Sequence, residues 1–135
     1  MTVFADTSAL YAVLDADDEF HERAADAWRS MLSEEVALVT SNYVLVESFA
    51  LVQARLGMDA TRAFADHLLP VVRTVGITEE DHGGAIQALL AADRRDLSLV
   101  DCSSFLVMRR LGLRIAFTFD ADFRAQGFES IPGNA

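Results

Sequence analysis

Apolar and polar positions follow two different periods along this chain. Val3-Phe4-Ala5, Val36-Ala37-Leu38-Val39-Thr40 and Ile115 to Phe119 are short, mainly apolar runs rich in β-branched and aromatic types, and Val71 to Val75 is a fourth such segment carrying Arg73 and Thr74. Strands covered on both faces of a parallel sheet read this way. Between them apolar residues recur every three to four positions, which predicts helices. The first covers residues 8–14 and is interrupted by Asp15-Ala16-Asp17-Asp18. Asp18 then caps a second helix of about 15 residues carrying Phe20, Ala24, Ala27, Trp28, Met31 and Leu32. A third, capped by Ser41 or Asn42, carries Val44, Leu45, Phe49, Val52 and Leu56 until Gly57 ends it. A fourth spans residues 59–69 and is broken by Pro70. A fifth begins at Thr78 with Glu79, Glu80 and Asp81 in its first turn, where the helix dipole favours acids. A sixth follows Asp101 with Phe105, Leu106, Met108 and Leu111, and Gly112 closes it. A short helix to Gln126-Gly127 and an edge strand near Phe128 to Ile131 finish the pattern. Strands alternating with helices predict an α/β fold, a parallel sheet with right-handed crossovers, in one domain over residues 1–135.

Four acids punctuate the apolar pattern instead of decorating polar faces. Asp6 and Asp120 terminate strands, Asp101 stands at the start of a helix, and Glu47 lies beside Leu45, Val46, Leu51 and Val52. Alone, each has a structural explanation: a cap, a turn, an arginine partner. Together they describe carboxylates gathered at the carboxyl ends of parallel strands, where open α/β sheets bind ligands. Such a cluster raises its own energy and is relieved by protonation or by a hard divalent cation. Mg²⁺ or Mn²⁺ suits an all-oxygen set, and the scattered three His and one Cys offer no zinc spacing. A hard cation open to water serves phosphoryl chemistry.

Composition narrows the picture. The chain has 21 acids and 11 bases, a net charge of −10, and every base is arginine. The lack of lysine excludes a Walker-type phosphate loop, a receiver-domain site and a Schiff base. Gly83-Gly84 falls inside a helical pattern and is no phosphate loop. Strong acidity disfavours simple electrostatic binding of nucleic acid unless cations are bound or a local basic patch is present. Arg94-Arg95 and Arg109-Arg110 are candidates, with surface charges balancing Asp93 and Asp96 as the plainer reading. The mean hydropathy of +0.23 and 52% apolar content fit a compact globule, and no apolar run approaches the roughly 18 residues of a membrane span. A soluble cytoplasmic protein is expected, and the single Cys102 agrees with a reducing compartment.

The segments Val3-Phe4-Ala5-Asp6-Thr7-Ser8-Ala9-Leu10, Glu47 in the third helix, Leu97-Ser98-Leu99-Val100-Asp101, and Thr118-Phe119-Asp120-Ala121-Asp122-Phe123 resemble the PIN domain. In particular they resemble the VapC-type toxin ribonucleases of bacterial toxin–antitoxin pairs, over essentially the whole chain and in motif order. The resemblance implies a three-layer α/β/α sandwich and a metal-dependent endoribonuclease that cuts single-stranded RNA, commonly tRNA or rRNA, leaving 5′-phosphate and 3′-hydroxyl ends. It assigns Asp6, Glu47, Asp101 and Asp120 as metal-binding acids, with Asp122 as a possible substitute for Asp120. It places Thr7, Ser8 and Thr118 where hydroxyls hold the acids or the attacking water. It further implies a homodimer silenced by a cognate antitoxin whose C-terminal segment presents Arg or Lys to the acidic site. Cys102 stands where the family commonly has a small residue. Two other classes compete: a non-catalytic module that pairs with a basic partner, and a haloacid-dehalogenase-like phosphotransferase, which Ser8 and the missing lysine disfavour.

Overall fold

The computed structural model describes residues 1–133. Five strands, β1 (Thr2–Ala5), β2 (Ala37–Ser41), β3 (Val72–Val75), β4 (Ile115–Phe117) and β5 (Glu129–Ile131), form one sheet in the order β3-β2-β1-β4-β5. All four pairings are parallel. The hydrophobic pattern explains the order. In the central strand Val3, Phe4 and Ala5 are fully buried, as Ala116 and Phe117 are in β4, whereas β3 exposes Arg73 and Thr74 as an edge strand must.

Helices α1 (Thr7–Leu14), α2 (His21–Ser33), α3 (Asn42–Leu56), α4 (Met58–Ala63), α5 (Glu79–Ala92), α6 (Leu99–Arg110) and α7 (Asp122–Ala125) flank the sheet. The result is the expected three-layer α/β/α arrangement. α1 packs on α2 and α3, α5 on α6, and α3 on α6. Trp28 of α2 is buried and stacks on Phe117 at 6.1 Å, which makes it core. Asp81 is buried and accepts two bonds from Arg110, at 3.1 and 2.8 Å, an ion pair that ties α5 to α6. No helix is long and apolar enough to cross a membrane among the described residues.

Three boundaries differ from the sequence expectation. Asp18 does not cap α2; its carboxylate accepts from Phe20 N at 2.8 Å, closing a turn that delays the helix to His21. The helix expected over residues 59–69 divides into α4, a π-helical segment (Phe64–Leu68) and a 3₁₀ turn (Leu69–Val71), so Pro70 sits in the 3₁₀ turn and β3 starts at Val72. The run through Phe119 stops being strand at Phe117.

The topology has a physical consequence. From β1 the chain moves outward to β2 and β3, then crosses back over β1 to β4 and β5. The strand order therefore reverses between β1 and β4. At such a switch point the loops leaving two adjacent strand tips diverge and open a crevice.

Candidate active site

Asp6 leaves the tip of β1 at this switch point, and Thr118 to Asp120 leave the tip of β4 beside it. The two tips are stitched together: Asp6 N–H donates to Phe117 O at 3.0 Å. Asp6 has the extended backbone of an N-cap, and its carbonyl accepts from Ala9 and Leu10 N–H, yet its side chain does not cap α1. The carboxylate turns across the crevice instead. One oxygen, Oδ2, accepts from Ser8 Oγ at 2.8 Å and from Thr118 Oγ1 at 2.9 Å. Each hydroxyl thereby spends its one proton on the same oxygen. As acceptors, Ser8 Oγ takes Phe119 N–H and Thr118 Oγ1 takes Asp120 N–H, each at 3.0 Å. Five residues from two chain segments are thus locked in one network.

Asp6 is 3% exposed. Burial pushes its carboxyl from 3.8 up to about 6; the bonds from Ser8 and Thr118 pull the other way, and the charges of Asp101 and Asp120 add to the rise. Burial also raises Glu47, opposed by the nearby Thr7 hydroxyl and reinforced by the charge of Asp101. Asp120 is raised by burial as well; the N–H of Asp122 lowers it, Asp101 and Asp122 raise it, and Arg94 lowers it. Asp101 therefore bears on the other three candidate acids, and desolvation dominates each rise.

Asp101 reaches this position in a way not expected from its sequence. It is the third residue of α6 and not its N-cap. Ser98 caps the helix by accepting Asp101 N–H at 3.0 Å, while Ser98 N–H donates to Asp101 Oδ2 at 3.0 Å. This reciprocal capping box fixes the side chain against the helix start. Glu47 lies half-buried on α3, beside a stripe formed by Val44, Ser48 and Val52. Ser41 caps that helix by accepting Val44 N–H at 3.1 Å. Thr7 accepts from the buried Ser48 Oγ at 3.1 Å, joining α1 to α3 under Glu47. Ser48 was not singled out by pattern; a serine in a core stripe, on the same face as Val44 and Val52, was the available signal.

Asp122 sits apart in its bonding. Its carboxylate is held by Arg94 at 3.1 and 3.3 Å, and its N–H donates to Asp120 Oδ1 at 2.9 Å. Asp122 thus orients Asp120 through its backbone while its own carboxylate shares Arg94 with Asp96. Arg94 is also bidentate to Asp96, so the plainer reading of that arginine holds.

Among the described residues, no three His, Cys, Asp or Glu side chains are arranged to hold a metal ion. The carboxylates are parked on hydroxyls and backbone N–H groups. The donor set is nonetheless all oxygen, and it includes a carboxyl whose charged form is made costly by burial and by two like charges. These properties fit a cation that takes one or two carboxylates and keeps its own waters, as Mg²⁺ does, better than one requiring a closed protein cage.

The comparisons agree with this architecture. The PIN domain profile matches residues 3–129. The chain is 38% identical over 130 residues to the 23S rRNA-specific endonuclease VapC20 of Mycobacterium tuberculosis, covering 96% of this chain and 97% of that one. The crystal structure of that protein, described as a sarcin-ricin loop cleaving toxin, superposes with a TM-score of 0.83 over 93% of this chain and 95% of its own. VapBC2 from Rickettsia felis, bound to a promoter DNA fragment, matches with a TM-score of 0.71 at 11% identity, over 96% of this chain and 98% of that chain. FitAcB from Neisseria gonorrhoeae matches at 0.68 and 17%, over 99% and 97%. These last two share the fold. With a profile match from the first strand to the last and a full-length relative at this identity, the chain belongs to the PIN domain family.

Proposed function

We infer that this protein is a metal-dependent endoribonuclease that hydrolyses a phosphodiester of single-stranded RNA, in tRNA or rRNA, as the toxin of a toxin–antitoxin pair. The observation that carries the reading is Asp6: a carboxylate buried at the switch point, with the charges of Asp101 and Asp120 acting on it. A buried acid surrounded by like charge costs stability in a resting protein, and that cost is reasonable where a cation and a phosphate are to be bound. The full-length relative that cuts 23S rRNA points to RNA, and to a structured rRNA target as the first substrate to try.

In this reading Asp6, Glu47, Asp101 and Asp120 would hold Mg²⁺ or Mn²⁺, one or two of them directly and the others through its waters. The cation supplies neutralisation of the phosphoryl oxygens and lowers the pKa of water. The remaining roles fall to the chain. Ser8 and Thr118 hold Asp6 through Oδ2, which leaves its other oxygen for the cation. Thr7, backed by Ser48, steadies Glu47. Asp122 keeps Asp120 in place through its N–H. Any of these acids not engaged by the cation accepts a proton from the attacking water, and the raised carboxyls suit that task. The −10 charge suits a partner rather than a substrate: a basic C-terminal segment of a cognate antitoxin would be drawn to this face and block it. A homodimer completes the expected assembly.

The test is direct. Purified protein is incubated with rRNA fragments and with tRNA, in EDTA and then with Mg²⁺ or Mn²⁺. Cleavage should require the cation and fall by about two orders of magnitude or more in Asp6→Asn and Asp101→Asn. Full activity in either variant overturns the assignment. Cation-independent inactivity with tight binding of an Arg-rich peptide would favour a binding module.

A further inference from the structure

Four of the eleven arginines in this acidic chain are paired with carboxylates. Arg29 pairs with Asp26, Arg62 with Asp59, Arg94 with Asp96 and Asp122, and Arg110 with Asp81. Arg109 donates to the backbone carbonyl of Gln126 and to its Oε1, and lies over the Phe128 ring. Arg94 and Arg110 are therefore neutralised by carboxylates and contribute little free positive charge as a lip.

Arg23 and Arg124 are different. Among the described residues neither has a carboxylate within ion-pair distance, as is true also of Arg55, Arg73, Arg95, Arg109 and Arg114, and it is their position that sets these two apart. Both line one cavity of about 200 Å³, which they share with Phe20, Phe119, Thr118 and Asp120. The last two belong to the candidate active site, so the cavity opens directly beside the acids. Its floor is fixed. Phe119 stacks on Phe20 at 4.6 Å and is tied to Ser8 through its N–H. The Arg23 guanidinium lies 5.6 Å from the Phe119 ring centroid and donates to Gly133 O at 3.1 Å. Much of the ordering entropy of that long side chain is thereby already spent, while its remaining N–H groups are free for a ligand.

We propose that Arg23 and Arg124 form a subsite that grips a backbone phosphate of the RNA next to the scissile one, holding the strand on the β4–β5 side of the acids. The proposal rests on the endoribonuclease reading and specifies how an acidic enzyme holds an anionic strand. A net charge of −10 repels RNA at long range, so retention must come from local cations. Guanidinium groups match phosphate oxygens with paired N–H bonds, and two of them face a single carboxylate, Asp120, across this cavity. Arg73, exposed on β3 at the opposite edge of the sheet, lines no cavity with a site residue and serves as a control.

The experiment is steady-state cleavage of a single-stranded RNA in Mn²⁺ across a salt series, with melting temperatures recorded for every variant. Arg23→Ala and Arg124→Ala should each raise KM about tenfold with kcat within about threefold. The double variant should flatten the dependence of log KM on log salt by about 0.7, one single-strand phosphate contact. Arg124→Lys should recover part of the loss, and Arg73→Ala should change neither quantity. Arg23→Gln and Arg124→Gln, which keep bulk and hydrogen bonding, must show the same KM shift if charge is the cause. Cleavage with unchanged KM and salt slope in the double variant overturns the subsite and leaves the nuclease reading standing. Failure of the unaltered chain to cut RNA overturns both.

Discussion

Replacing Asp6 with Asn should make the metal-free protein more stable while removing its activity. The carboxyl titrates near 6 in the folded chain and near 3.8 when unfolded. Between those values the folded state holds the extra proton, so the contribution of this group to stability falls as pH rises from 3.8 through 6 and stays low above it. The gap is about two pH units, and at 1.36 kcal/mol each the ionised carboxylate costs about 3 kcal/mol at pH 7.5. Asn keeps one oxygen to accept from Ser8 and Thr118 but loses the charge-assisted strength of those bonds. A net gain of about 1–2 kcal/mol remains, or about 4–7 °C in melting temperature for a chain of this length. Urea unfolding in EDTA at pH 7.5 and at pH 4 measures it. The gain should be present at pH 7.5 and largely gone at pH 4, and a stabilising divalent cation should help the unaltered chain and not the variant. A variant equal to or weaker than the unaltered chain at pH 7.5, or a difference independent of pH, refutes the reasoning.

Other outcomes follow from the same structure. Ser98→Ala removes the capping box and should cost about 1 kcal/mol in chemical denaturation, with slower RNA cleavage because Asp101 loses the helix start that positions it. Arg110→Ala strands the buried Asp81 and should destabilise by about 1–3 kcal/mol, whereas Arg110→Ala combined with Asp81→Asn should recover part of that loss. Asp93 ends α5 in the left-handed conformation at φ 52°, so Asp93→Gly should raise the melting temperature through about 0.5–1 kcal/mol.

The fold was legible because burial on both faces leaves a mark that survives in one dimension: Val3-Phe4-Ala5 and Ile115-Ala116-Phe117 are apolar at every position, and only strands covered on both sides need that. The acids were legible because they interrupt this mark. The boundary errors have local causes. Asp101 looked like a cap because it precedes an apolar stripe, but Ser98, three residues earlier, competes for the same role and wins by bonding reciprocally with it. Phe119 reads as strand, yet Thr118 Oγ1 takes the Asp120 N–H and turns the chain away after Phe117. The partners of the arginines were not legible at all. Arg94 meets Asp122 across 28 residues, and Arg23 reaches Gly133 across 110, contacts that only the folded sheet creates. Pairs adjacent in sequence therefore stood out as a basic lip, while the two isolated arginines beside the acids did not.

Crystals soaked in Mn²⁺ and examined by anomalous scattering ask the decisive question, whether the crevice between the tips of β1 and β4 takes a hard cation. A peak should appear there, coordinated by Asp6 and at least one of Glu47, Asp101 and Asp120, and it should vanish in Asp6→Asn. A crevice without anomalous density at millimolar Mn²⁺, in crystals of a chain that still cuts RNA, would contradict the assignment of these acids.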